Sequence, residues 1–211
     1  AGLVVAALAV VFALIRLPPK HTSQASLGQK LHVITRSRFI AALFFTAVLV
    51  IGVELSTIGV LSTFLAELRG FTAMPAKLGL VVFLAGVACG RLLVGYLARP
   101  ERLHRMLLVL LGLSTVTFAL LFLVPLGRLT LPAAFVAGLS LSAQFPLILT
   151  YAGLHFRDMT GTVLGAVKIA LPTGGILLPL LLSVLTSAVS LHAALVLLPV
   201  SLLLALVVFT L

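Results

Sequence analysis

The sequence predicts an all-α membrane protein, a polytopic bundle of transmembrane helices, and three observations support this. Apolar residues make up 62% of the 211 residues and charged residues only 9%, whereas soluble domains contain roughly 25% charged residues. The apolar residues form runs long enough to cross a bilayer. Within lipid, a helix satisfies its own backbone hydrogen bonds and an isolated strand does not. We therefore expect helices that lipid and neighbouring helices cover together.

Charge and motifs exclude several other classes of protein. The net charge is +10, but the basic residues lie at segment ends and in connections, so we expect no nucleic-acid partner. Cys89 is the single cysteine, which excludes a disulfide within the chain. The sequence has no HExxH motif, no carboxylate pair at helical spacing and no Ser/His/Asp set. It therefore predicts neither an enzyme nor a bound metal or cofactor, and its histidines are expected to be solvated or interfacial.

Seven apolar segments organise the chain. The first, 1–15, is expected to be a truncated transmembrane helix, and 16–38 a cytoplasmic loop. Residues 39–211 are predicted to form a bundle of six helices. The chain opens without Met and ends inside an apolar run, so we expect a fragment of a larger protein. The six later segments are 39–66, 78–98, 106–124, 129–154, 161–186 and 191–211.

The distribution of Lys and Arg predicts the orientation, because basic connections stay in the cytoplasm. The alternate connections 16–38, 99–105 and 155–160 hold nine of the 14 basic residues, and the opposite set holds three. The first set is therefore predicted to be cytoplasmic. We expect a multi-pass protein of a bacterial inner membrane.

Three charged residues are predicted to lie inside the membrane. Glu54 lies near the middle of 39–66, where a lone acid is costly unless it faces a protein interior or a water-filled cavity. Arg91 and Lys168 lie roughly 10–12 Å from the cytoplasmic ends of their helices, and Glu54 roughly 22 Å from that end. Glu54 and Lys168 are expected in a cavity, whereas Arg91 could enter it or extend to the headgroups. The alternative for Glu54 is a structural tie to Arg91 or to backbone groups.

A stripe of small residues and prolines runs along 161–186 at helical spacing. Small residues permit close contact between helices, so the stripe is predicted to be a packing face. Prolines and paired glycines loosen a helix, which makes Pro172, Gly174 and Gly175 a candidate bending gate with Lys168 at its inner end. The stripe consists of Gly161, Gly165, Lys168, Pro172, Gly175 and Pro179.

Polar residues on the fifth segment are candidate ligand contacts. Ser140, Gln144 and Tyr151 share one helical face, and Gln144 is the strongest candidate for a substrate contact. Hydrogen bonds between helices are the alternative. The third segment has small residues for packing, namely Gly79, Gly86 and Gly90.

The fourth and seventh segments differ from the others. Their polar residues are hydroxyls such as Ser114 and Thr117, which can bond their own helix. Both segments are therefore predicted to be outer helices that face lipid. The second, third, fifth and sixth segments would then surround a cavity.

This layout resembles the carboxy-terminal half of a major facilitator superfamily transporter, beginning at its sixth helix. Residues 90–99, GRLLVGYLAR, with the arginines that follow them, resemble the loop motif after helix eight in that family. The family usually has an acid where Arg99 stands, and Glu101 is the nearby substitute. The resemblance thus implies a group of candidate gating residues, Arg91, Arg99, Glu101, Arg102 and Arg105.

Two shorter stretches are similar to the branch of sugar and fucose permeases. They are 52–54, GVE, with Gly59, and 143–146, AQFP, with the glycines and proline of the sixth segment. The resemblance implies twelve helices, a substrate site between two halves and alternating access by rocking. It also implies that the missing amino-terminal half of the same transporter is a partner.

Two functions from different classes remain open. The first is a secondary active transporter that moves a small polar solute, such as a sugar, together with protons. Glu54 would then carry the proton or bind substrate, and Lys168 would be a cation on the cytoplasmic side of the cavity. The second is a membrane sensor or assembly subunit that keeps the fold but lacks a continuous cavity.

Overall fold

The structure, a computed structural model, describes residues 36–210, and within that range it contains helices and no strand. Six helical spans are long and apolar enough to cross a membrane, which confirms the predicted all-α bundle. The predicted segment 1–15 and almost all of the loop 16–38 lie outside the described residues. The helices are α1 (Arg38–Glu67), α2 (Ala73–Leu97), α3 (Leu103–Leu123), α4 (Thr130–Leu141), α5 (Gln144–His155), α6 (Thr160–Lys168), α7 (Ala170–Ala188), α8 (Leu191–Leu195) and α9 (Leu197–Thr210).

Local sequence explains where the first helices begin and end. Ser37 precedes α1, and its Oγ accepts a hydrogen bond from the backbone N–H of Ile40 at 3.3 Å. After α1 the chain turns at Gly70, whose φ of 69° is favourable for glycine. α2 begins at Ala73 rather than at the predicted 78, because Pro75 fits the first turn, where a backbone N–H has no helical partner.

The last three membrane spans are each interrupted once. A proline follows each interruption by less than one turn, and proline lacks the N–H that would bond the carbonyl four residues earlier. Its ring also clashes with that carbonyl, which disfavours a continuous helix. The interruptions and their prolines are 142–143 with Pro146, Ile169 with Pro172, and Val196 with Pro199.

Glycines bring two pairs of helices into backbone contact. Where α1 crosses α7, a Cβ on Gly174 would collide with the backbone of α1, and a Cβ on Gly52 would lie 2.7 Å from the Cβ of Leu178. Where α2 crosses α4, a Cβ on Gly86 would collide with the carbonyl oxygen of Phe135. The close contacts predicted for the glycines of the third segment are therefore present.

α3 and α9, the segments predicted to lie outermost, complete the bundle. α9 packs against α1 and α3, and α3 packs against α4. Both helices expose apolar side chains such as Val116 and Leu203. However, Ser114 and Thr117 on α3 are buried and bond residues of α5 and α4, respectively. α3 therefore also forms part of the polar interior, because its hydroxyls do not bond their own helix alone.

Candidate functional site

Glu54 lies near the middle of α1 and is buried, with 6% of its surface exposed. The Nη2 atom of Arg91, on α2, donates to Glu54 Oε1 at 2.9 Å, and this is the one ion pair within residues 36–210. Arg91 Nε also donates to the backbone carbonyl oxygen of Ser142 at 3.3 Å. One arginine thus joins α1, α2 and the interruption between α4 and α5. Although Arg91 was expected nearer the cytoplasm than Glu54, its long side chain reaches the carboxylate.

Pro146 explains why the Ser142 carbonyl is available to Arg91. In a continuous helix this oxygen would accept the N–H of residue 146, but proline has none. A buried carbonyl without a donor costs free energy. Arg91 supplies that donor. The interruption thus provides an acceptor for Arg91, and Arg91 satisfies the carbonyl that the interruption leaves free.

Gly90 allows α2 to approach this interruption closely. A Cβ at this position would collide with the carbonyl oxygen of Leu139 and with Ser142 Oγ. Any larger residue would therefore move α2 away from the groups that Arg91 reaches.

A cavity of about 370 Å³ lies beside Arg91, between the second half of α2 and the first half of α5. Its lining includes Gly95, Pro146 and Thr150 as well as Arg91. The Arg91 side chain is 52% exposed. A guanidinium has five N–H donors, and the contacts with Glu54 and Ser142 leave several of them able to bind a solute.

Gln144 is fully buried and points its amide at α3. Its Nε2 donates to Ser114 Oγ at 2.8 Å and to the carbonyl oxygens of Leu110 and Ser140 at 3.0 and 3.2 Å. Its Oε1 has no hydrogen-bond partner among the described residues. Gln144, the strongest candidate for a ligand contact, therefore forms hydrogen bonds between helices. Its Oε1 atom is the one acceptor that these contacts leave unused.

The other two residues of that face also contact α3. Ser140 Oγ lies 3.1 Å from Thr117 Oγ1. Tyr151 joins an aromatic cluster at the other end, with its ring centroid 5.4 Å from that of Phe39 and 5.9 Å from that of His104. Neither residue bonds Glu54 or Arg91 within the part of the chain that is described.

Only part of the stripe in the sixth span packs against another helix within residues 36–210, which corrects the prediction for its first part: a Cβ on Gly175 would lie 2.7 Å from Leu55 Cδ1 on α1. A Cβ on Gly161 or Gly165 would meet no atom of residues 36–210 within 4 Å, and Pro172 is exposed. The contact with the backbone of α1 is made by Gly174, which lies next to the stripe. One residue rotates the direction of the side chain by about 100°, so Gly174 faces the backbone of α1 while the stripe from Gly161 to Pro172 stays open.

Lys168 ends α6 with an exposed side chain and forms no ion pair within residues 36–210. It therefore stands apart from Glu54 and Arg91, although it lies on the open stripe. Its place in a cavity stays a prediction, as does a gate at Pro172, Gly174 and Gly175.

The charged residues after α2 lie on the surface. Residues 100–102 form one 3₁₀ turn, and Glu101 pairs with no basic residue in the described part of the chain. A gating role for this loop stays a prediction. The exposed residues concerned are Arg99, Glu101, Arg102 and Arg105.

Two participants were missed in the sequence. The Ser142 carbonyl binds Arg91, and Pro146, four residues later, was the available signal. Ser114 binds Gln144, and no local pattern indicated that its hydroxyl would face another helix. Residues 36–210 hold no group of three His, Cys, Asp or Glu side chains placed to bind a metal.

Comparisons with known proteins agree with this architecture. The profile of the Major Facilitator Superfamily matches residues 1–171, whereas no sequence among the curated proteins matches. A crystal structure of a Major Facilitator Superfamily transporter, FucP, in the outward conformation is 20% identical, with a TM-score of 0.76 over 98% of this chain and 51% of that one. A variant of the E. coli fucose:proton symporter FucP is 19% identical, with a TM-score of 0.71 over 98% and 52%. The chain thus spans about half the length of both.

Proposed function

The chain belongs to the Major Facilitator Superfamily, a family of membrane transporters and not of enzymes, and on this premise we propose that it is part of a secondary active transporter. It would move a small polar solute by alternating access, together with protons. The likeness to a fucose:proton symporter supports a sugar as the solute. The amino-terminal half of the same transporter would complete the substrate site, and a bacterial inner membrane would be its location.

The Glu54–Arg91 pair is the observation that carries this proposal. A buried carboxylate inside a membrane span is costly, and such groups often belong to a proton pathway. When Glu54 accepts a proton, it loses its charge and with it most of its attraction for Arg91. The guanidinium can then bind a solute in the adjoining cavity. Proton binding and solute binding would thus be coupled through one arginine.

Gln144 and Lys168 have supporting roles in the proposal. The unused Oε1 of Gln144 can accept a hydrogen bond from a solute once the helices rearrange. Ser140 and Tyr151 extend the same polar face, and Lys168 supplies a positive charge on the open stripe. Rocking about the interruptions near Pro146 and Pro172 would change which side of the membrane these residues face.

Glu54→Gln tests the proton coupling in the intact protein. In proteoliposomes we expect this variant to lose accumulation of radiolabelled sugars driven by a pH gradient, because glutamine cannot exchange a proton. Asp158→Asn, a change at an exposed carboxylate in a connection, should leave accumulation unchanged. Accumulation by Glu54→Gln at the wild-type level would remove Glu54 from the mechanism.

A non-transporting sensor or assembly subunit is the second candidate. Two observations favour such a subunit. Glu101 forms no ion pair within the described residues, and Gln144 and Ile148 are buried. Cysteines introduced at these two buried positions, with Cys89 removed, separate the candidates. A transporter should expose them to a water-soluble thiol reagent in one of its states, whereas a sensor without a cavity should protect both.

A further inference from the structure

A second cavity, of about 340 Å³, lies at the predicted cytoplasmic end of the bundle. Four helices contribute to it, because α1 and α3 begin at this end whereas α5 and α9 end there. Its volume is at the lower limit of ordinary ligand pockets, which measure roughly 300–1,000 Å³. Arg38 belongs to its lining, and Glu54 follows 16 residues later, or roughly 24 Å along the helix. The cavity is therefore separate from the Glu54–Arg91 pair.

Each of the four helices contributes one aromatic ring to the wall of this cavity. The rings belong to Phe39 on α1, His104 on α3, Tyr151 on α5 and Phe209 on α9. His104 stacks on Phe209 with ring centroids 5.1 Å apart, and the Tyr151 ring lies 6.2 Å from that of Phe209 at an angle of 60°. Aromatic rings attract one another edge to face or offset and stacked, so this wall offers both kinds of contact to an aromatic ligand.

The polar groups of the lining favour an anion. Arg38 supplies a guanidinium, His104 an imidazole N–H and Tyr151 a phenolic O–H, all of which can donate hydrogen bonds. No carboxylate of the described chain lines the cavity, and Arg38 forms no ion pair there. Glu101 and Asp158, the acids in the described connections at this end, lie outside the lining. An anionic group in the cavity would thus meet donors and a positive charge without a competing acid.

We propose that this cavity binds a small aromatic anion, a single ring that carries a carboxylate or a phosphate. The planar guanidinium of Arg38 matches either anionic group and can donate two parallel hydrogen bonds to it. The ring of the ligand packs on the aromatic wall. An anion without a ring gains only the polar contacts, and an aromatic cation is repelled by Arg38. The solute proposed for transport is neither aromatic nor charged, so this is a second site for a different class of ligand.

Equilibrium dialysis of the intact purified protein in detergent tests this site. The probe is 4-nitrophenyl phosphate, with inorganic phosphate as the anion without a ring and 4-nitrobenzylamine as the aromatic cation. We expect the probe to bind more tightly than either of the other two compounds. Equal binding of inorganic phosphate or of the amine would overturn the proposal, as would the absence of binding by the probe.

Tyrosine fluorescence locates the bound probe. The chain has no tryptophan and two tyrosines, of which Tyr96 is 91% exposed and lies outside the lining. In a Tyr96→Phe background, Tyr151 is thus the single tyrosine emitter. The nitrophenyl group absorbs light where tyrosine emits, so the bound probe should quench the emission of Tyr151. Binding without quenching would place the probe elsewhere and reject the site.

Substitutions in the lining test the contacts that carry the proposal. Arg38→Gln should weaken binding of the probe about tenfold, because a charged donor to the phosphate is lost. His104→Leu should weaken it about fivefold, and it is the second variant in case Arg38→Gln fails to fold. Both side chains are exposed. Unchanged binding in either variant, once folded, would overturn the proposal.

Two matched controls address charge and folding. Arg36 and His192 are also exposed and lie outside the lining, so Arg36→Gln and His192→Leu should bind the probe as the wild type does. A loss of binding in Arg36→Gln as large as that in Arg38→Gln would reject the site in favour of general attraction by surface charge. Glu54→Gln separates this inference from the proposed function, because it should retain binding of the probe while losing proton-driven uptake.

Discussion

Arg69 and Arg91 both bind backbone carbonyl oxygens that helical hydrogen bonds leave free, but only Arg91 also binds a carboxylate. Arg69, in the connection after α1, donates from Nη2 to three carbonyls at the end of α3 over 2.7 to 3.2 Å. Its Cζ lies 4.9 Å from the centre of the Phe64 ring. Arg91 binds the one carbonyl that Pro146 leaves free and the charged Glu54.

The two arginines differ in whether the charge of their partners can change. Carbonyl oxygens and an aromatic ring keep the same charge at every pH, so the contacts of Arg69 do not depend on the protonation of a partner. Burial lowers the pKa of the Arg69 guanidinium, yet arginine stays charged in proteins. Glu54 can lose its charge, so one contact of Arg91 can be weakened by a proton. We infer that Arg69 holds α1 to α3, whereas Arg91 is suited to a conformational change.

Removing Arg91 should have the largest effect. Arg91→Met leaves Glu54 buried without its ionic partner, and such a change destabilises proteins by several kcal/mol. Because Arg91 is half-exposed, we expect a loss of about 2 kcal/mol together with the loss of solute uptake. Thermal unfolding in detergent and uptake into proteoliposomes measure the two effects.

The double variant Glu54→Gln/Arg91→Met is the control for this prediction. It removes both charges, so it should regain part of the stability while uptake stays lost. Equal destabilisation in the single and double variants would show that the unpaired carboxylate is not the cause.

Removing Arg69 should affect stability but not transport. Arg69→Met loses hydrogen bonds from a charged donor to the end of α3, which should cost about 1 to 2 kcal/mol. Uptake per folded molecule should equal that of the wild type, since none of the Arg69 partners titrates. Arg128→Met, at an exposed arginine without a hydrogen bond in the described chain, should change neither property. A loss of uptake in Arg69→Met at unchanged stability would contradict a purely structural role for Arg69.

The fold and the site were predictable to different degrees, for physical reasons. Long apolar runs must become helices in lipid, so the spans followed from composition. The rarity of charge in those spans identified Glu54 and Arg91 as candidates. Their pairing was named only as the alternative to a cavity role for Glu54, because 37 residues and two different helices separate them, and periodicity does not give the rotation of one helix against another. For the same reason, the predicted packing face included Gly161 and Gly165 and left out Gly174.

Replacing Pro146 should have the smallest effect and tests how the interruption supports Arg91. In Pro146→Ala the new N–H can bond the Ser142 carbonyl, so that oxygen becomes less available to Arg91. We expect slower hydrogen exchange at residues 143–147, because the helix becomes more continuous. We also expect uptake to fall by about threefold, which is a smaller effect than the complete loss of a hydrogen bond from a charged donor would have. Pro132→Ala is the control, since Pro132 lies in the first turn of α4, where no helical carbonyl loses its donor. Unchanged exchange in Pro146→Ala would mean that Arg91, and not the missing N–H, keeps the helix interrupted.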